Sequence, residues 1–151
     1  MVLPVRELLL GSEYNRYKRN LNLLIAVALA VATFVAYAVD VFAVSGGVLI
    51  IPGDATFVGL AVAAVLGYHR DGLVFAWIQF FATYLGFHAD WAFLGLSGRS
   101  LSGELGFFFD PVGLAVFFTA AVFLGTLAFS AGVLIRRSIS LIWHSETLED
   151  P

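Results

Sequence analysis

The stretch from Gly72 to Trp91 constrains the fold more than any other part of this chain. It carries no charged residue before Asp90, and it is as long as an α-helix that crosses the hydrocarbon core of a bilayer, about 20 residues. At the helical period, one of its faces is small and polar and comprises Gln79, Ala82, Thr83, Gly86 and Asp90. Lipid does not favour such a face, so we expect neighbouring helices or a watery cavity to cover it.

The composition indicates a membrane protein. The 151 residues are 60% hydrophobic and only 13% charged, whereas about 25% of residues are charged in soluble domains. A net charge of −3 argues against a nucleic-acid partner, and the absence of cysteine excludes disulfides and thiolate metal sites. Arginine outnumbers lysine, and alanine, valine and glycine are abundant, which is typical of a prokaryotic source.

Three further apolar segments complete the predicted architecture. We expect an all-α polytopic membrane protein, a four-transmembrane-helix bundle over 21–137, with spans at about 21–44, 48–68, 72–94 and 111–135. Segment 1–20 is either an interfacial helix or a solvated terminus. The Gly- and Ser-rich segment 95–106 predicts a loop, and Arg136 and Arg137 are expected to end the last span before a cytoplasmic tail at 138–151.

The basic residues predict the orientation of these spans. With a cytoplasmic N-terminus, the inner side collects seven of the eight basic residues: Arg6, Arg16, Lys18, Arg19, Arg70, Arg136 and Arg137. The outer side then holds only Arg99. The positive-inside rule therefore predicts a multi-pass protein of the cell membrane with both termini inside.

Small residues at every fourth position predict close helix packing. The clearest stripe contains Ala55, Gly59, Ala63 and Gly67, and Gly86 lies on the polar face of the third span. Such stripes let another helix backbone approach closely. A second stripe, Ala28, Ala32, Ala36 and Asp40, is expected to face protein more than lipid. Asp54 and Asp110 precede the second and fourth helices as predicted N-caps.

The predicted topology gathers ionisable residues at the outer helix ends. These are Asp40, Asp54, His88, Asp90 and Asp110. Asp40, Gln79, Thr83, His88 and Asp90 are candidates for an ion or substrate path, because ionisable groups at membrane depth mark such paths. His88 and Asp90 lie about 200° apart on their helix, so they are poorly placed to bind one metal ion together. We expect no metal and no cofactor, and we interpret Trp77, Tyr84 and Trp91 as membrane-belt aromatics.

Three functions are compatible with these features. We expect foremost an accessory or structural subunit that packs against a membrane-protein partner or forms a homo-oligomer in the lipid bilayer. The first alternative is a small oligomeric transporter or channel that uses Asp40 and Asp90. The second alternative is a membrane enzyme, which the sequence disfavours because it shows no nucleophile–base pair.

Overall fold

The computed structural model describes residues 5–11, 16–43, 51–95 and 98–146, with side chains described to residue 141. These residues form helices and no strand, so the all-α prediction is confirmed. The helices are α1 (Val5–Leu10), α2 (Arg16–Ala38), α3 (Gly53–His69), α4 (Leu73–Asp90), α5 (Leu101–Phe108) and α6 (Pro111–Glu146). Parts of the predicted first span (residue 44), second span (48–50) and tail (147–151) lie outside the described residues.

The central helix is α4, which packs against α2, α3 and α6. None of its residues from Leu73 to Asp90 is exposed, and ten of them are buried, as in a helix largely enclosed by others. Phe80, Tyr84, Gln79 and Thr83 are the largest fully buried side chains of the described chain. A wider π-helical turn, Trp91–Gly95, extends α4 at its far end. The segment that dominates the sequence is therefore also the core of the fold.

Helix α2 covers the polar face of α4. The contact is close at Gly86, where an added Cβ would collide with the backbone oxygen of Ala30 and lie 2.7 Å from Cβ of Thr33. The side of α2 that faces inward contains Asn22, Ala26, Thr33 and Tyr37. The glycine thus lets the two backbones approach closely.

The prediction that the second stripe of small residues, on α2, faces the protein interior is wrong. Ala28, Ala32 and Asp40 are exposed, and Ala36 is half-buried. Four-residue spacing alone could not decide between two faces of α2, and the buried polar residues Asn22 and Thr33 fix the inward face instead.

Helices α3 and α6 meet backbone to backbone. A Cβ on Gly67 would collide with the backbone of Phe129, and a Cβ on Gly132 would collide with the backbone of Ala64. Further along α3, Gly59 receives the ring of Phe80, whose Cδ1 would lie 2.7 Å from an added Cβ. The small-residue stripe of α3 is therefore buried inside this chain, and it offers no surface to a partner.

Two predicted helix limits are wrong. The segment predicted as a loop contains α5, and α6 continues past Arg136 and Arg137 to Glu146. Arginine is a good helix former and interacts favourably with a helix C-terminus, so it does not stop a helix. At 1.5 Å per residue the 36 residues of α6 extend about 54 Å.

The N-terminal helix is docked on the turn between α3 and α4. Gly11 (φ +85°) and Gly72 (φ +110°) lie at the contact, where a Cβ on Gly72 would be 2.7 Å from the backbone of Leu10. Both φ values favour glycine, and the close approach excludes a side chain. Segment 1–20 was predicted to be either an interfacial helix or a solvated terminus, and the structure has a helix there at Val5–Leu10.

Within the described part of the chain, two helical stretches are long and apolar enough to cross a membrane: α2, and the stretch from Leu101 to Leu141 that joins α5 and α6. Their outward faces carry large apolar side chains. Leu24 is 66% exposed, Val27 61%, Phe123 72% and Leu127 61%. An apolar surface of this kind is rare on soluble monomers.

Candidate functional site

Acidic side chains gather where α2 ends, α3 begins and α4 ends. Tyr37 occupies the middle of this acidic end: it is 4% exposed, and its hydroxyl accepts a hydrogen bond from the backbone N–H of Ala55 at 3.3 Å. Asp54 and Asp90 both lie within electrostatic range of this hydroxyl. The phenol thus bonds α2 to α3, and the ring of Phe87 on α4 packs edge-on against it with centroids 5.1 Å apart.

Asp40 and Asp90 lie at the ends of α2 and α4, and they differ in exposure. Asp90 is half-buried at the end of α4 and lies within electrostatic range of Asp40. Asp40 is exposed, and its φ of +57° places it in the left-handed turn that ends α2. Aspartate tolerates this conformation better than most residues, so Asp40 has a backbone role at the helix end.

The predicted cap role of Asp54 is wrong. Pro52 is the N-cap of α3, and Asp54 is the second residue of the helix, within its first turn. Its Oδ2 accepts a hydrogen bond from the backbone N–H of Ala43 at 3.0 Å, which ties the end of α2 to the start of α3. Asp110, in contrast, accepts the N–H of Gly113 at 2.7 Å, which is the contact of an N-cap side chain.

His88 lies apart from the carboxylates around Tyr37. It is 4% exposed and stacks on Phe107 and Phe108, with ring centroids 5.1 and 5.7 Å away. The ring of Phe117 meets it edge-on, and its Nε2 lies 3.3 Å from the carbonyl oxygen of Phe107. His88 therefore anchors α5 to the bundle, and the structure does not bring it together with Asp90.

The two mid-helix candidates on α4 make hydrogen bonds within the bundle. Gln79 is 2% exposed and its Nε2 donates to Asn22 Oδ1 at 2.9 Å, while Asn22 Nδ2 donates to the carbonyl oxygen of Lys18 at 3.1 Å. Thr83 is fully buried and donates to the carbonyl oxygen of Phe80 at 2.7 Å. The bond between Gln79 and Asn22 links α2 to α4, and the other two bonds lie within one helix. All three satisfy polar groups at a depth where an unpaired polar group is costly.

Two of the predicted belt aromatics instead join helices. Tyr84 is fully buried, and its hydroxyl shares a 3.0 Å hydrogen bond with that of Thr56. Trp77 is half-buried and its Nε1 donates to Thr126 Oγ1 at 3.0 Å. The belt interpretation is wrong for both because a buried indole or phenol requires a hydrogen-bond partner, which another helix supplies. Trp91, at 39% exposure, does face outward.

Sequence reasoning missed Asn22 and Tyr37. Asn22 is an amide within an otherwise apolar run, and such a residue requires a partner on another helix. That signal was available in the sequence. Tyr37 had no comparable signal, because its role depends on where α3 begins.

Among the described residues, no group of three or more histidines or acidic residues is close enough to hold a metal ion. No family model, curated protein or solved structure matches this chain.

Proposed function

We propose that this chain is an integral protein of the cell membrane with four spans, α2, α3, α4 and the stretch through α6, and with both termini cytoplasmic. Support comes from the separation of charge between the two ends of the bundle. Lys18 pairs with Asp71 at 3.7 Å and Arg136 donates to the carbonyl oxygen of Tyr68, so the basic residues of α2, the α3–α4 turn and α6 share one end. The acidic end lies opposite. This is the distribution that the positive-inside rule favours.

The lengths of the shorter helices are compatible with this topology. Helix α3 has 17 residues and α4 has 18, and spans of roughly 17–25 residues occur in bilayers. Their modest length suits them to the interior of a bundle whose outer faces are formed by longer helices.

We infer further that the protein acts as a structural or accessory subunit of a membrane assembly. The observation that carries this role is the use of the central polar groups. Gln79 bonds to Asn22, Trp77 to Thr126, and Tyr84 to Thr56. Because these groups bond to one another across helices, they join the helices, and this supports a structural role.

The partner surface that we assign is the outer half of α6. An apolar groove of about 630 Å³ lies there, lined by Pro111, Val112, Ala115, Val116, Thr119, Ala120 and Phe123. Ala115 and Thr119 are both exposed and lie four positions apart. Small residues at this spacing let another transmembrane helix approach closely. The buried stripe of α3 has no such accessibility.

A site-specific photocrosslinker tests this role in membranes of the native host. We replace Val116, 40% exposed on α6, and as a matched control Val27, 61% exposed on α2. The subunit role predicts one discrete crosslinked protein, a partner or a second copy, at position 116 and none at position 27. Absence of any protein crosslink at position 116 contradicts it.

The transporter alternative is favoured by one observation, the half-buried Asp90 beside Asp40. It predicts ion flux into proteoliposomes that decreases in Asp90→Asn and Asp40→Asn. The subunit role predicts that the purified wild-type chain gives no more flux than empty liposomes. A flux that requires Asp90 contradicts the subunit role.

A further inference from the structure

A groove opens on the side of the bundle between α2 and α3, because both helices pack on α4. Its volume is about 440 Å³, within the range of ligand sites, about 300–1,000 Å³. We call it the α2–α3 groove, and it is lined by Lys18, Leu21, Asn22, Ile25, Ala61, Val62, Val65, Leu66, Asp71 and Gln79.

The lining changes from charged to apolar along the groove. Lys18 and Asp71 lie at its mouth, with side chains 38% and 29% exposed. Asn22 follows one helical turn deeper on α2, about 6 Å further at 1.5 Å per residue. It bonds to Gln79 on the floor. Beyond this amide pair, the walls of Ile25, Ala61 and Val62 are apolar.

The same order of polarity occurs along a phospholipid. Its charged head group is followed by ester carbonyls, which accept hydrogen bonds, and then by hydrocarbon. Each amide NH₂ carries two donors, and in the Asn22–Gln79 pair one donor of each is used within the protein. A second donor of each amide is available to carbonyl oxygens at this depth.

We propose that the α2–α3 groove binds one phospholipid whose head group carries both a phosphate and a primary ammonium. Charge complementarity supports this choice. At the mouth, Lys18 Nζ and a carboxylate oxygen of Asp71 lie 3.7 Å apart, so a cation and an anion are presented side by side. Lys18 Nζ can donate to the phosphate, and the head-group ammonium can donate to the Asp71 carboxylate. A purely anionic head group would place its charge beside Asp71 without compensation.

This inference rests on the membrane placement in the proposed function and does not depend on the partner role. It identifies the α2–α3 groove as a specific lipid site. The ammonium of phosphatidylethanolamine can donate hydrogen bonds to Asp71, whereas the quaternary ammonium of phosphatidylcholine cannot. The head group therefore provides the test.

The experiment is native mass spectrometry of the full chain, taken from nanodiscs that contain equal amounts of phosphatidylethanolamine, phosphatidylcholine and phosphatidylglycerol. Ala61→Phe fills the groove, and Ala131→Phe is the matched control at an exposed position on α6. Lys18→Gln and Asp71→Asn each remove one charge at the mouth and leave the core unchanged. Carbonate-washed membranes show separately whether the wild-type chain is embedded.

We expect the wild-type chain and Ala131→Phe to retain one phosphatidylethanolamine. In Ala61→Phe the retained fraction should decrease about tenfold, as for a loss of roughly 1.4 kcal/mol in binding. In Lys18→Gln and Asp71→Asn the preference over phosphatidylcholine should disappear.

Equal retention in Ala61→Phe and Ala131→Phe overturns the proposal, as does a wild-type preference for phosphatidylglycerol. A second copy of the chain that dissociates only in Ala61→Phe also overturns it, since the groove is then a protein interface. If the chain is embedded but retains no lipid, only the lipid site is rejected. A chain that carbonate extracts from the membrane rejects the membrane placement as well.

Discussion

Replacing Gly132 with alanine tests the closest helix contact in the fold. The added Cβ would collide with the backbone oxygen of Ala64 and lie 2.9 Å from its carbonyl carbon and from the backbone nitrogen of Tyr68. Unstrained contacts between non-bonded carbon atoms begin at about 3.5 Å. Because these atoms belong to the backbone, no side chain can rotate away, and α6 must move from α3.

The expected cost follows from two opposing effects. Overpacking of this kind costs about 1–3 kcal/mol, while alanine gains up to about 1 kcal/mol over glycine in a helix interior. Since the collision is with backbone atoms, the upper end of the overpacking range applies, and the net effect in Gly132→Ala is a loss of about 2 kcal/mol of unfolding free energy. The control is Gly106→Ala on α5, because an added Cβ there has no atom within 4 Å. That change should be neutral or mildly stabilising.

Reversible unfolding in mixed micelles, followed by circular dichroism, measures both variants. We expect Gly132→Ala to unfold more easily than the wild type, and Gly106→Ala to unfold no more easily than the wild type. If the two variants are equally stable, the backbone contact between α3 and α6 is not the constraint that we describe.

Three other predictions concern single contacts. A double-mutant cycle of Asn22→Leu and Gln79→Leu in mixed micelles should give a coupling of about 0.6 kcal/mol, and zero coupling would contradict the 2.9 Å bond. Asp110→Ala removes the cap contact to Gly113, so it should cost about 1 kcal/mol of unfolding free energy and lower the helicity at the start of α6. The control Asp54→Ala only frees the N–H of Ala43, so it should leave the helicity of α3 unchanged. His88→Leu should speed hydrogen exchange across α5, and unchanged exchange there would show that stacking on this imidazole does not hold the helix.

The position of the central helix was predictable because it depends on local sequence. The polar face around Gln79 identifies a buried helix at once, since such a face is unfavourable in lipid. The same reasoning located the glycines that permit close packing. It could not tell whether Gly67 meets a helix of this chain or of a partner, because both satisfy the same spacing.

The errors occurred where tertiary contacts override local preference. Glycine and serine lower the helix propensity of the segment around α5, yet stacking of Phe107 and Phe108 on His88 holds it as a helix. The sequence neighbours of Asp54 are typical of a cap, but Pro52 is the N-cap residue, and the Asp54 carboxylate accepts from the N–H of Ala43 instead. Neither outcome can be derived from periodicity.

The central claim is that the helices cross the membrane with both chain ends on the cytoplasmic side. The chain has no cysteine, so single-cysteine variants carry no background for a membrane-impermeant maleimide. Tyr17, Ser100 and Ser138 are all exposed positions. We expect the maleimide to label Ser100→Cys in intact cells. It should label Tyr17→Cys and Ser138→Cys only after the cells are lysed. Labelling of Tyr17→Cys and Ser138→Cys on opposite sides, or of Ser100→Cys only after lysis, would contradict the account.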